Sequence, residues 1–156
     1  MHKGALIKVI SGGQTGVDRG ALDAAIELGL PCGGAAPKGR RAEDGRIPDR
    51  YPVVECASSD YSVRTERNVI GADATLILCP GEPTGGTRLT GELARRHGKP
   101  VCVVDIDGPE AAGRAREFLL RVRPKVLNVA GPRESSRPGI ALRARVLLLE
   151  ALGDVE

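Results

Sequence analysis

Glycines, threonines and a short basic run occupy the positions of this chain where chemistry could be done, and the chemistry they suit is the binding of an anion. Ser11-Gly12-Gly13-Gln14-Thr15-Gly16-Val17-Asp18 follows an apolar run over residues 5–10 and places three glycines in five positions. Such a turn lets the backbone approach a ligand closely and offers N–H groups at the positive end of the helix that follows. Thr15, three residues before Asp18, has the form of a capping box, so Asp18 is read as a cap first and a ligand contact second. A second turn of the same kind, Gly81-Glu82-Pro83-Thr84-Gly85-Gly86-Thr87, also stands between an apolar run and a helical pattern. Lys38, Gly39, Arg40 and Arg41 supply cations that could clamp a phosphate or oxyanion. The expected ligand contacts are therefore Gly12, Gly13, Gln14, Thr15 and Gly16, then Lys38, Gly39 and Arg40, and then Thr84, Gly85, Gly86 and Thr87. The plain alternatives are two tight turns and a solvated loop offset by Glu43 and Asp44.

Neither turn is a P-loop or a G-x-G-x-x-G fingerprint, and Ala36-Pro37-Lys38 stands where a dinucleotide-binding unit would carry an acid for the ribose. His97 sits where a helix is expected to end, a place that suits a cation, and His2 is terminal. A Ser-His-Asp or Cys-His arrangement therefore has no evident base. Cys32, Cys56, Cys79 and Cys102 recur every 23 or 24 residues without a C-x-x-C pair, so they are read as reduced cysteines beside successive strands, and no metal-ligand set is expected. Glu92, five residues beyond Thr87, either faces the second turn or pairs with Arg95 or Arg96.

The elements that must position these residues alternate. Helical periodicity covers residues 17–28, with Gly29 as the stop, and then about 61–70, 87–97, 109–122 and the apolar stretch from Ile140. Strands are expected over residues 5–10, 30–36, 51–56, 74–79, 101–106 and 126–130, with a long irregular loop over 37–48. The fold class is α/β: a single Rossmann-like domain over residues 1–156, with a mostly parallel sheet of about six strands and helices on both faces. In a Rossmann-like order the first and fourth strands are neighbours, and the two glycine turns then converge on one crevice at the switch point.

Composition fits one domain with a small ligand. The 156 residues are 41% hydrophobic, enough for one core. A net charge of +3 and 2% aromatics do not indicate a nucleic-acid surface. No stretch suits a signal peptide or membrane span, so a cytoplasmic location is expected.

The residues also carry a resemblance. The run from Ser11 through Asp18-Arg19-Gly20-Ala21-Leu22, the segment Pro37-Lys38-Gly39-Arg40 with Ala42-Glu43-Asp44-Gly45, Ser59-Asp60-Tyr61, Arg64-Thr65 with Asn68-Val69, Thr84-Gly85-Gly86-Thr87 with Thr90, and Leu127-Asn128-Val129-Ala130-Gly131-Pro132-Arg133-Glu134-Ser135 together resemble the molybdenum (molybdenum cofactor) carrier family. The likeness covers nearly the whole chain. That family is similar to the lysine-decarboxylase-like nucleoside-monophosphate phosphoribohydrolases and to the DNA-processing protein DprA. The resemblance implies a homo-oligomer, dimer or tetramer, that binds molybdenum cofactor (molybdopterin) and protects it until delivery to molybdoenzymes, with no catalytic residue required. The anion contacts it implies fall on the three segments named above. The phosphoribohydrolases carry P-G-G-x-G-T-x-x-E, whereas here the loop reads Thr84-Gly85-Gly86-Thr87-Arg88-Leu89-Thr90-Gly91-Glu92. Two rival readings stay open: an enzyme acting on a nucleoside monophosphate with Glu92 as general acid or base, and a sensor of a nucleotide-derived signal.

Overall fold

The computed structural model describes residues 6–153. The termini, including His2 and the start of the first apolar run, lie outside the described residues. β1 (Lys8–Ile10) leads through the first glycine turn into α1 (Val17–Leu28), which stops at Gly29 in the left-handed conformation, φ 72°. The strand expected over residues 30–36 is broken into β2 (Cys32–Gly33) and β3 (Ala35–Ala36). The break falls at Gly34 because the chain there presses on the first turn: a Cβ would stand 2.1 Å from the Ser11 carbonyl oxygen. The loop expected to be irregular holds a 3₁₀ turn at Lys38–Arg40 and a small antiparallel hairpin, β4 (Arg41–Ala42) and β5 (Gly45–Arg46), tipped by Glu43 and Asp44. β6 (Val54–Glu55) pairs with β3 outside the main sheet.

From there the chain keeps the expected alternation. α2 (Tyr61–Gly71) is capped by Asp60, which accepts the Ser62 N–H at 2.9 Å. β7 (Ala74–Cys79), α3 (Gly85–Arg96), β8 (Val101–Asp105), α4 (Ala111–Val122), β9 (Val126–Ala130) and α5 (Ile140–Gly153) complete the order.

The central sheet has five parallel strands in the order β2-β1-β9-β7-β8. β1 and β7 are therefore not neighbours, as a Rossmann-like order would have made them. β9 stands between them, with Lys8↔Val126 and Ile10↔Asn128 on one side and Ala74↔Leu127 and Ile77↔Ala130 on the other. Its buried centre, Leu127-Asn128-Val129, suits a strand with a neighbour on each edge. The one polar residue there, Asn128, donates to the Thr75 hydroxyl at 3.3 Å.

α1, α4 and α5 pack together on one face of the sheet, and α2 and α3 cover the other. Alternation along β7 divides its residues between the two: Leu76 and Leu78 join the core of the first face with Val9, Leu127 and Val129, while Ile77 reaches Gly91 of α3. This is a Rossmann-like α/β fold. The carboxyl ends of β1, β9 and β7 open side by side, and the two glycine turns flank the exit of β9.

Candidate functional site: a crevice at the carboxyl ends of the central strands

The chain leaves β9 through a gap that only glycines permit. A Cβ on Gly131 would stand 2.3 Å from the Leu78 carbonyl oxygen, and one on Gly16 would stand 2.2 Å from that of Pro132. Close approach seats the start of α1 against the β9 exit, where Val17 N–H donates to Pro132 O at 3.2 Å. Beside this seam lies a crevice of about 720 Å³, bounded by the first turns of α2 and α3 and by the segment after β9. That volume is within the range of sites for organic ligands, about 300–1,000 Å³.

The second glycine turn supplies the open wall. Thr84, Gly85, Gly86 and Thr87 all line the crevice. No side chain caps α3, and among the described residues the Gly85 and Gly86 N–H groups have no hydrogen-bond partner. A Cβ on Gly86 would meet no protein atom within 4 Å, so packing alone does not demand a glycine there. Two free amides at the positive end of a helix are suited to a phosphate or oxyanion.

The first glycine turn differs from expectation. Some of its N–H groups are turned on the protein's own acceptors: Gln14 N–H donates to Asp18 Oδ2 at 3.2 Å and Thr15 N–H to Gln14 Oε1 at 3.1 Å. The capping box does not form. Gly16 is the N-cap of α1, and the Thr15 hydroxyl instead donates to Glu43. Glu43 also accepts from the Ser135 N–H and hydroxyl, at 3.2 and 2.5 Å, so the hairpin tip fastens the α1 turn to the segment after β9. Of Gly12, Gly13, Gln14, Thr15 and Gly16, only Gln14 lines the crevice.

Asp18 is buried, and it lines the crevice beside Arg64, whose Nη1 lies 3.6 Å from Asp18 Oδ2. Burial pushes the Asp18 carboxyl above the ordinary aspartate range, against the opposing pull of Arg64 and of the Gln14 and Gly12 amides. The Asp18 carboxyl thus occupies the Gln14 amide of the first turn.

The cations are also not those expected. Arg40 spends its guanidinium on four backbone carbonyls, those of Ile47, Val53, Pro48 and Tyr51, at 2.8 to 3.2 Å. It holds the loop together, and Lys38, Gly39 and Arg40 are not among the residues lining the crevice. The cations that do line it are Arg64, Arg133 and Arg137. Arg137 is paired with Asp107 at 2.8 Å. Arg133 has no carboxylate within ion-pair distance among the described residues. Arg133, Arg64 and Arg41 gather over the Tyr61 ring with guanidinium carbons 5.1, 5.6 and 4.8 Å from its centroid. Three like charges around one ring, with one carboxylate among them at ion-pair distance, attract a further anion.

Glu92 pairs with Arg88 at 3.2 Å on the outer side of α3 and does not line the crevice. The geometry therefore places Glu92 outside this crevice. Cys32, Cys56, Cys79 and Cys102 are free thiols in or beside strands. Burial and the nearby Asp105 and Glu82 push the Cys79 thiol up to about 11. His97 terminates α3 and contacts Glu66 at 2.7 Å.

A protein-family model described as the circularly permutated YpsA SLOG family matches residues 9–152. The chain belongs to this family. A solved crystal structure, "Putative molybdenum carrier protein from Syntrophus aciditrophicus SB", is similar over 96% of each chain, with 43% sequence identity and a TM-score of 0.91. No curated protein sequence matches the chain.

In this YpsA SLOG chain, Arg64 and Arg133 are the site residues that motif reading passed over. They come from α2 and from the segment after β9, and they meet only because β9 lies between β1 and β7. The signal was present in part: Arg64 and Arg133 both stand within segments that carry the family resemblance.

Proposed function

We propose that this protein binds and carries molybdenum cofactor, or a closely related phosphorylated ligand, in the crevice at the carboxyl ends of β9 and β7. One observation carries the reading: the unpartnered Gly85 and Gly86 amides share a crevice with Arg133, which no carboxylate among the described residues pairs, while Asp18 and Glu82 are the acids that line it. The 43% identical relative is named as a molybdenum carrier, which supports a molybdenum-bearing cargo. Held in this way, a phosphate would accept from the α3 amides while oxygen-rich parts of the cargo meet the arginines. Binding needs no reacting side chain. Delivery to molybdoenzymes, a cytoplasmic setting and a homo-oligomeric state belong to the same reading.

The test is anaerobic purification from a cofactor-producing host, followed by metal analysis and fluorescence of the oxidised pterin. Molybdenum and pterin are expected to co-purify with the wild-type chain and to be lost together in Arg133→Ala. Absence of both from the wild-type protein overturns the proposal.

A further inference from the structure

Gln14 is more than a wall of the crevice. Its carboxamide oxygen accepts two backbone N–H groups, from Thr15 at 3.1 Å and from Glu43 at 2.9 Å. Those bonds fix which end of the carboxamide is oxygen, because a flipped amide would set its NH₂ against two donors. Nε2 is thereby held as a donor in a side chain only 4% exposed, and it has no acceptor. Arg64 repeats the pattern: its Nη1 is turned toward Asp18, while its Nε is buried without a partner. Both residues line the same crevice. A buried donor left unpaired is unfavourable, and here two such donors fall on one site. A ligand that brings acceptors to these atoms satisfies both.

We infer that Gln14 Nε2 and Arg64 Nε form an inner subsite that reads the ring-carbonyl end of a ligand whose phosphate rests on the Gly85 and Gly86 amides, so that the ligand class is a phosphorylated heterocycle and not a bare oxyanion. The size of the crevice supports a two-ended ligand, since its volume is that of an organic-ligand site. This inference rests on the proposed cargo-binding site and adds to it the discrimination between ligands.

Titration calorimetry of the full chain with three probes tests it: inorganic phosphate, 6-hydroxymethylpterin monophosphate, and the counterpart in which an amine replaces the ring carbonyl. The carbonyl compound is expected to bind roughly ten- to a hundredfold tighter than the amino compound, since donors left unpaired by the wrong ligand carry that cost. Gln14→Glu keeps the oxygen that Thr15 and Glu43 need, and Arg64→Lys keeps the charge beside Asp18. Both variants are expected to bring the preference to within about twofold. Equal binding of the two pteridines by the wild-type chain overturns the inner subsite and leaves the phosphate end standing. Retention of the preference in both folded variants overturns it as well. Failure of all three probes to bind the wild-type chain overturns the cargo-binding reading itself. If a variant does not fold, the wild-type preference alone decides.

Discussion

Arg64 lies across the backbone of Gly12: a Cβ at that glycine would stand 2.0 Å from Arg64 Nη1 and 2.6 Å from its Cζ. The first glycine turn therefore acts on the crevice indirectly, by leaving room for a guanidinium from α2. Gly12→Ala is expected to displace the head of Arg64, a flexible group, with the fold intact. Affinity for a phosphorylated pterin should drop about tenfold, the scale of one charge-assisted hydrogen bond, as measured by calorimetry. Unchanged affinity would show that Arg64 does not hold the ligand.

The two glycine turns should respond in opposite ways to the same substitution. Gly86→Val places its side chain in open space beside free amides, so thermal stability should change little while phosphate binding is lost. Gly13→Val meets Ile47 at 2.9 Å from a backbone with φ +78°, so it should cost about 2 kcal/mol or more in stability, seen as a lower urea midpoint. Equal losses of binding at constant stability would contradict this division of roles.

Two carboxylates should bend the stability profile in opposite directions. Asp18 is raised by burial, so the folded state holds its proton more tightly than the unfolded chain does. Its contribution is fully present below the ordinary aspartate range and is lost as pH rises through the raised value. Glu43 is held below the ordinary glutamate range by the Ser135 and Thr15 hydroxyls, so its contribution is present above that range and is lost as pH falls through the lowered value. Urea midpoints across acidic pH should show Asp18→Asn flattening the upper side of the profile and Glu43→Gln the lower side. Asp18→Ala, which also strands Arg64 and the Gln14 amide, should cost about 3 kcal/mol.

Arg40 is expected to matter for folding and not for the cargo. Four carbonyls lose their donors in Arg40→Ala, at a cost of about 2–3 kcal/mol, and a lysine cannot replace a planar fork that spans all four. Pterin affinity of the folded variant should match the wild type. A selective loss of affinity would return Arg40 to the ligand.

Much of the fold was legible because its signals are local. β7 and β9 match the expected spans, since a continuous apolar run bounded by turn residues defines each, and α1 ends at Gly29 for the reason read from the sequence. The second glycine turn was legible in the same way. In the first, residue types that suit an anion do not reveal that a side chain of the following helix accepts the Gln14 amide. For Arg40, charge in a loop does not say which acceptors are near, and here they are four backbone carbonyls. Arg64 and Arg133 were hidden for a topological reason: the order β1-β9-β7 that brings them together is a long-range property.

That order also bears on how the molecule comes into being. β1 with β2, and β7 with β8, are joined within the sheet through β9 alone. Until residues 126–130 are in place, two strand pairs each present an open edge, and neither can complete the crevice. A chain emerging from the ribosome thus spends most of its synthesis with unpaired edges, the condition that invites wrong partners and the help of chaperones. The crevice itself has to wait for the strand that joins the two halves of the sheet.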